Sequence, residues 1–169
     1  MRRSTAVATL LPLILGACLR TTPSRNPSAD RDAIAAATRA YALALEIGVP
    51  DSVLHWWVED PVYINTGFPT IKGRTALDSV FRLVHSAWHD VKATIVTDEI
   101  SVSGDLAYQI GSYSESFRLS AGATQQLQGR TLTSAVPDTV RGRFLFVWRR
   151  QPDGSWRIAR AIGTDQPRS

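Results

Sequence analysis

Two groupings in the chain have residue types and spacings suited to chemistry. The first is Arg160, which lies inside an aromatic strand surface. The stretch Gly142–Arg150 carries Phe144, Phe146 and Trp148 on one face and Leu145 and Val147 on the other, so it reads as a strand buried on both sides. Ser155–Gly163 reads as its hairpin partner across Pro152-Asp153-Gly154, where proline pre-sets the turn and glycine supplies a positive φ. With a three-residue loop and a bulge, Trp148 faces Ile158, Phe146 faces Arg160, and Phe144 faces Ile162. Arg160 is then a cation on a pocket floor, able to bind a carboxylate or similar anion through its planar fork. A second reading packs its stem on Phe146 and sends the head to solvent or to an acid. The other grouping is His85 and His89, at a spacing that can hold a metal on one helix face. No acidic residue joins them in a zinc-protease order, and a cationic helix end explains the pair without metal. No metal and no cofactor is expected. His55 reads as packed or at a rim, and no nucleophile elbow, phosphate loop or Ser/His/Asp set is recognisable.

These residues need elements to place them. Asp30 is a good N-cap for a first helix to about Ile47, with Ile34, Thr38, Tyr41 and Leu45 at helical spacing and Gly48 at its end. A short helix over Ser52–Val58 carries Trp56 and Trp57, about 100° apart, one for the core and one for a pocket or subunit contact. Pro61 stops it. Val62–Asn65 is a short strand on which Tyr63 and Asn65 share a face. A third helix, about Arg74–His89, aligns Leu77, Val80, Phe81, Val84 and Trp88. From Val91 the period becomes two: strands over Val91–Val102 and Leu106–Leu119 flank the turn Ser103-Gly104-Asp105. Tyr108 and Tyr113 have opposite parity, so one of them faces inward. Residues 120–138 are polar, either a loop or an extended hairpin tip. Helices followed by a run of strands make the class α+β, with the helices on one face of a curved sheet.

The 169 residues are enough for one domain with a real core. Residues 1–17 read as a signal peptide: Arg2 and Arg3 lead, and Ala6–Leu15 is apolar but too short to span a bilayer. Leu15-Gly16-Ala17-Cys18 resembles a bacterial lipobox, so Cys18, the single cysteine, is the expected lipidation site and membrane anchor. Leu19 after it favours the outer membrane, facing the periplasm, over the inner one. Residues 18–29 form the lipidated cysteine and a flexible tether, 30–165 the folded domain and 166–169 a tail. One cysteine excludes an internal disulfide and a multi-cysteine zinc site. Without Arg2 and Arg3 the chain has 17 basic and 15 acidic residues, a net +2 with no basic run, so nucleic acid is not an expected partner.

The order of elements, together with Tyr41, Gly48, Trp57, Glu59-Asp60, Gly73-Arg74, Gly104–Tyr108, Gly111, Val147–Arg149 and Asp153–Ile158, resembles the NTF2-like superfamily, and within it the SnoaL-like group of the DUF4440 type. The resemblance spans about residues 30–165. It implies a strongly curved antiparallel or mixed sheet wrapped around three helices as a cone, with a pocket at the wide end. It also implies where chemistry could sit. The steroid isomerases of this superfamily use a strand carboxylate, a first-helix tyrosine and a protonated aspartate. The corresponding positions here hold Asn65, Tyr41 and Phe144. Relatives also carry an Asp or His in the last strand beside Arg160, where this chain has Ala161 and Ile162. The expected ligand-binding set is Tyr41, Trp57, Tyr63, Asn65, Phe144, Phe146 and Arg160, with no catalytic residue assigned. Three functions follow as expectations. One is an envelope-anchored module binding a small apolar or aromatic molecule, an anionic one included. Another is a cofactor-free isomerase, dehydratase or cyclase. The third is an interaction module that forms a homodimer through the sheet.

Overall fold

The computed structural model describes residues 26–66, 69–122, 124–127, 130–133 and 138–166. The signal peptide, Cys18 and all but the end of the tether lie outside the described residues. Helix α1 spans Pro27–Ile47 and starts earlier than Asp30. Asn26 is the N-cap: its side chain accepts from Ser28 N at 3.0 Å and Ala29 N at 3.5 Å. Asp30 sits in the first turn, buried, and its carboxylate meets Arg150 at 2.5 Å. Gly48, at φ 73°, closes the helix in the left-handed conformation.

Helix α2 is short, Pro50–Leu54, and strand β1 runs Trp57–Asn65. The expected helix to Val58 therefore ends early, after Leu54, and the chain is strand from Trp57. The cause is tertiary: Arg74 Nη1 donates to the carbonyls of Leu54 and Trp57 at 3.1 and 3.2 Å, and Trp57 pairs with Ile158 of strand β8 (Trp156–Asp165). After β2 (Ile71–Lys72), α3 spans Arg74–Ala87 and β3 Trp88–Ser103. The third helix thus stops before His89. Trp88 pairs with Leu119 and stacks on Phe117 at 3.7 Å, which pulls the chain into the sheet. The helical histidine pair does not exist: His89 is an exposed strand residue, 2.7 Å from Ser120 Oγ.

Strand β4 is Leu106–Leu119 and β7 is Asp138–Arg150. Between them β5 (Thr124–Leu127) and β6 (Arg130–Thr133) pair antiparallel as a separate ribbon, as the hairpin alternative for this stretch has it. The main sheet has the order β2-β1-β8-β7-β4-β3, antiparallel except where β1 lies parallel to β8, and it is not closed. The α+β expectation holds.

A buried network fixes α1 to the sheet. Gln109, fully buried on β4, accepts at Oε1 from Trp148 Nε1 at 2.9 Å, lies 3.1 Å from Thr38 Oγ1, and donates to Thr97 at 2.7 Å. Trp57 and Trp148 are fully buried, each worth about 3 kcal/mol of transfer free energy.

The hairpin register differs from expectation in one residue with a large consequence. Trp148 faces Ile158, but Val147 faces Arg160, Phe146 faces Ala161 and Phe144 faces Gly163. Ala159 is the extra residue of a bulge, which inverts the alternation beyond it. Arg160 therefore points to the outer, exposed surface. Its guanidinium donates to the Asp60 carbonyl at 2.9 Å and pairs with the Asp60 carboxylate at 3.8 Å. It is no pocket cation.

Candidate functional site

The concave face of the sheet, α1 and α3 line a cavity of about 150 Å3. Its wall is mostly apolar. Tyr41 and Leu45 come from α1, Trp57 from β1, Phe81 and Val84 from α3, and Phe144 and Phe146 from β7. Helical periodicity places Tyr41 one turn from Leu45, and strand alternation places Phe144 beside Phe146, 4.4 Å apart between ring centres. Tyr41 packs edge-on against both Trp57 and Phe146.

Polar groups enter from three strands and from α3. Tyr63 and Asn65 share a face of β1 as expected; Tyr113 and Glu115 project from β4, Asp165 from β8 and His85 from α3. The Tyr113 hydroxyl donates to Asp165 Oδ1, while Asp165 Oδ2 is buried without a partner. Glu115 lines the cavity, and among the described residues no donor bonds its carboxyl. Burial, and then the charge of Asp165, push that carboxyl up to about 7. Burial likewise raises the hydroxyls of Tyr41, Tyr63 and Tyr113, with Glu115 adding to each, so all three stay neutral donors. Burial lowers His85, whose two ring nitrogens have no partner. No lysine or arginine lines the cavity among the described residues.

Three glycines make room for this arrangement. A Cβ on Gly111 would meet the Phe144 ring at 2.7 Å, one on Gly142 the Tyr113 hydroxyl at 2.6 Å, and one on Gly163 the Asn65 side chain at 2.9 Å. Each pocket side chain lies over a bare stretch of neighbouring strand.

Of the residues expected from the sequence, Tyr41, Trp57, Tyr63, Asn65, Phe144 and Phe146 are brought together on the cavity wall, and Arg160 is outside it. Tyr113, not Tyr108, is the inward tyrosine; Tyr108 is exposed and donates to Glu99. Glu115, Asp165 and the cavity role of His85 were not expected. For Glu115 a signal existed: it shares strand phase with Phe117 and Leu119, both buried. An acid in that phase is an inward acid. For Asp165 the strand had to be extended two residues past Gly163 and the bulge placed. Chemically, Glu115 is present in both protonation states near neutrality. It can donate, accept or exchange a proton at a mostly apolar surface.

Solved structures resemble the chain over most of its length. A ketosteroid isomerase-like protein from Erwinia carotovora atroseptica SCRI1043 is 22% identical, with a TM-score of 0.63 over 81% of this chain and 96% of the other. A candidate dehydratase of the NTF2-like family from Streptomyces avermitilis is 17% identical, with a TM-score of 0.66 over 85% and 100%. A candidate aromatic ring hydroxylase from Novosphingobium aromaticivorans is 23% identical, with a TM-score of 0.67 over 85% and 94%. At these identities the likeness establishes the fold, an NTF2-like cone. No protein of curated function matches the chain by sequence. The sequence profile of the SnoaL-like domain matches residues 26–162, and the chain belongs to that family.

Proposed function

We propose that the domain is a binding module for a small one-ring aromatic or compact apolar molecule held in the cone pocket. The observation that carries this reading is the cavity itself, aromatic on most sides and polar where β1, β4 and β8 meet. About 150 Å3 suits something the size of benzene with a small substituent, not a steroid. Burying about 150 Å2 of ring surface is worth about 4 kcal/mol, only a millimolar Kd, so tighter binding must draw on the polar groups. Arg160 is on the outer face, and no lysine or arginine lines the cavity among the described residues.

A thermal-shift screen of substituted one-ring compounds tests the reading. Hits should raise Tm by several degrees at saturating concentration. Val84→Phe, which fills the cavity from α3, should abolish those shifts, and Arg160→Ala should leave them intact. Shifts that survive Val84→Phe, or vanish with Arg160→Ala, would place the ligand elsewhere.

The module's address rests on the N-terminal sequence. We propose that Cys18 is lipidated and anchors the domain to the envelope membrane, the outer one in preference to the inner. Mass spectrometry of the mature protein from a bacterial membrane fraction should find a diacylglyceryl group on Cys18. An unlipidated N-terminus at another residue would overturn the anchor.

A further inference from the structure

We infer that the cavity selects a protonated amine carried on an aromatic or compact apolar body, with the ammonium held by the carboxylates of Glu115 and Asp165. This rests on the pocket reading above and adds the ligand's charge to it.

Two carboxyl groups share a cavity that no lysine or arginine lines among the described residues. Buried carboxylates are ordinarily paired or hydrogen-bonded. Among the described residues the only donor bonded to either carboxyl is the Tyr113 hydroxyl, on one oxygen of Asp165. Asp165 Oδ2 is buried and unmet, and Glu115 faces the cavity without a described donor. The two carboxyls are short of bonded donors and of positive charge. An ammonium supplies both at once, with three N–H groups and a full charge. A hydroxyl ligand supplies one donor and no charge, and a carboxylate ligand adds a third negative group. The aromatic walls around Tyr41, Trp57, Phe144 and Phe146 bury the ligand's body and favour a cation near their faces.

Binding a cation must be coupled to the protonation of Glu115. The titratable groups facing Glu115 are Tyr41 on α1, Tyr63 on β1, His85 on α3, Tyr113 on its own strand and Asp165 on β8; β3 and β7 line the cavity with apolar side chains only. The three tyrosines stay neutral, and burial pushes His85 down from its ordinary value, toward the uncharged form. Glu115 titrates at about 7, midway between pH 6 and pH 8. Its ionised fraction rises from about a tenth to about nine-tenths, so an ammonium should bind about ninefold tighter at pH 8 than at pH 6.

Calorimetric titration with benzylamine, benzyl alcohol and benzoate tests this. Benzylamine stays protonated across the range, as alkyl amines titrate near the lysine value. The expected order at pH 8 is benzylamine tightest and benzoate weakest. Benzylamine should weaken about ninefold at pH 6, while benzyl alcohol stays within twofold. Glu115→Gln should flatten the benzylamine profile and keep benzyl alcohol binding, which reports that the pocket is intact. Benzyl alcohol binding as tight as benzylamine, or a benzylamine profile flat in the native protein, overturns the amine and leaves the pocket reading standing. Binding of none of the three overturns both.

Discussion

Glu115 lies where its own charge is opposed by its surroundings. A free glutamate titrates near 4.5, and in the folded chain this one titrates at about 7, first because it is buried and then because Asp165 is near. A carboxyl group raised on folding holds its proton more tightly in the native state than in the unfolded chain. Its contribution to stability is full below about pH 4.5 and is lost as pH rises through 7. The loss is at most about 3 kcal/mol, and the cavity side of the carboxyl keeps it below that bound. Glu115→Gln removes the titration. The stability of the variant relative to native protein should therefore rise between pH 4.5 and pH 8, by about 1 to 3 kcal/mol, in urea unfolding followed by tryptophan fluorescence. A difference that does not change with pH would mean that Glu115 is not held in a low-dielectric site. Asp60 shows the opposite situation on the outer face: the Arg149 hydrogen bond holds its carboxyl below the usual range, with Arg160 adding to it.

At the scale of elements, the strands that build the cavity were legible and their phase beyond one point was not. Strand β4 is found with its expected ends, and Tyr63 and Asn65 share a face as their spacing implies. The gaps have local causes. Trp57 and Trp88 each carry helix-compatible sequence into a strand, because Trp57 pairs with Ile158 and Trp88 stacks on Phe117. Propensity decides little when a large side chain can be buried only one way. The bulge at Ala159 is the decisive case. Alternation alone puts Arg160 inside, and a single extra residue puts Ala161, Gly163 and Asp165 inside instead. One residue of register thus exchanges a basic pocket floor for an acidic one, and with it the charge of the expected ligand. The glycines tell the same story in reverse. Gly142 and Gly163 look like weaknesses in a strand pattern, yet they are where Tyr113 and Asn65 lie flat against the neighbouring strand.

At the scale of the molecule, the outer face of the sheet remains to be accounted for. The cross-strand register aligns Ile110 of β4, Leu145 of β7, Ile162 of β8 and Ile64 of β1 in one row across four strands. Ile64 and Ile162 are each 42% exposed, high for isoleucine in the middle of a sheet. Ion pairs flank the row: Asp60 meets Arg149 and Arg160, and Arg143 meets Asp98 at 2.5 Å. An apolar strip with a charged rim has the make-up of a protein interface, and a strip used twice about a two-fold axis needs no second kind of partner. We propose that two copies of the domain meet face to face through this row. Sedimentation velocity at micromolar concentration should then show a dimer. Ile162→Glu, which sets two like charges near the axis, should weaken the dimer at least tenfold. Because residue 162 points away from the cavity, that variant should keep the ligand-induced thermal shift. A native protein that sediments as a monomer at 100-fold higher concentration would rule the dimer out, and a variant that lost both dimer and ligand shift would show that the face and the cavity are coupled through the sheet.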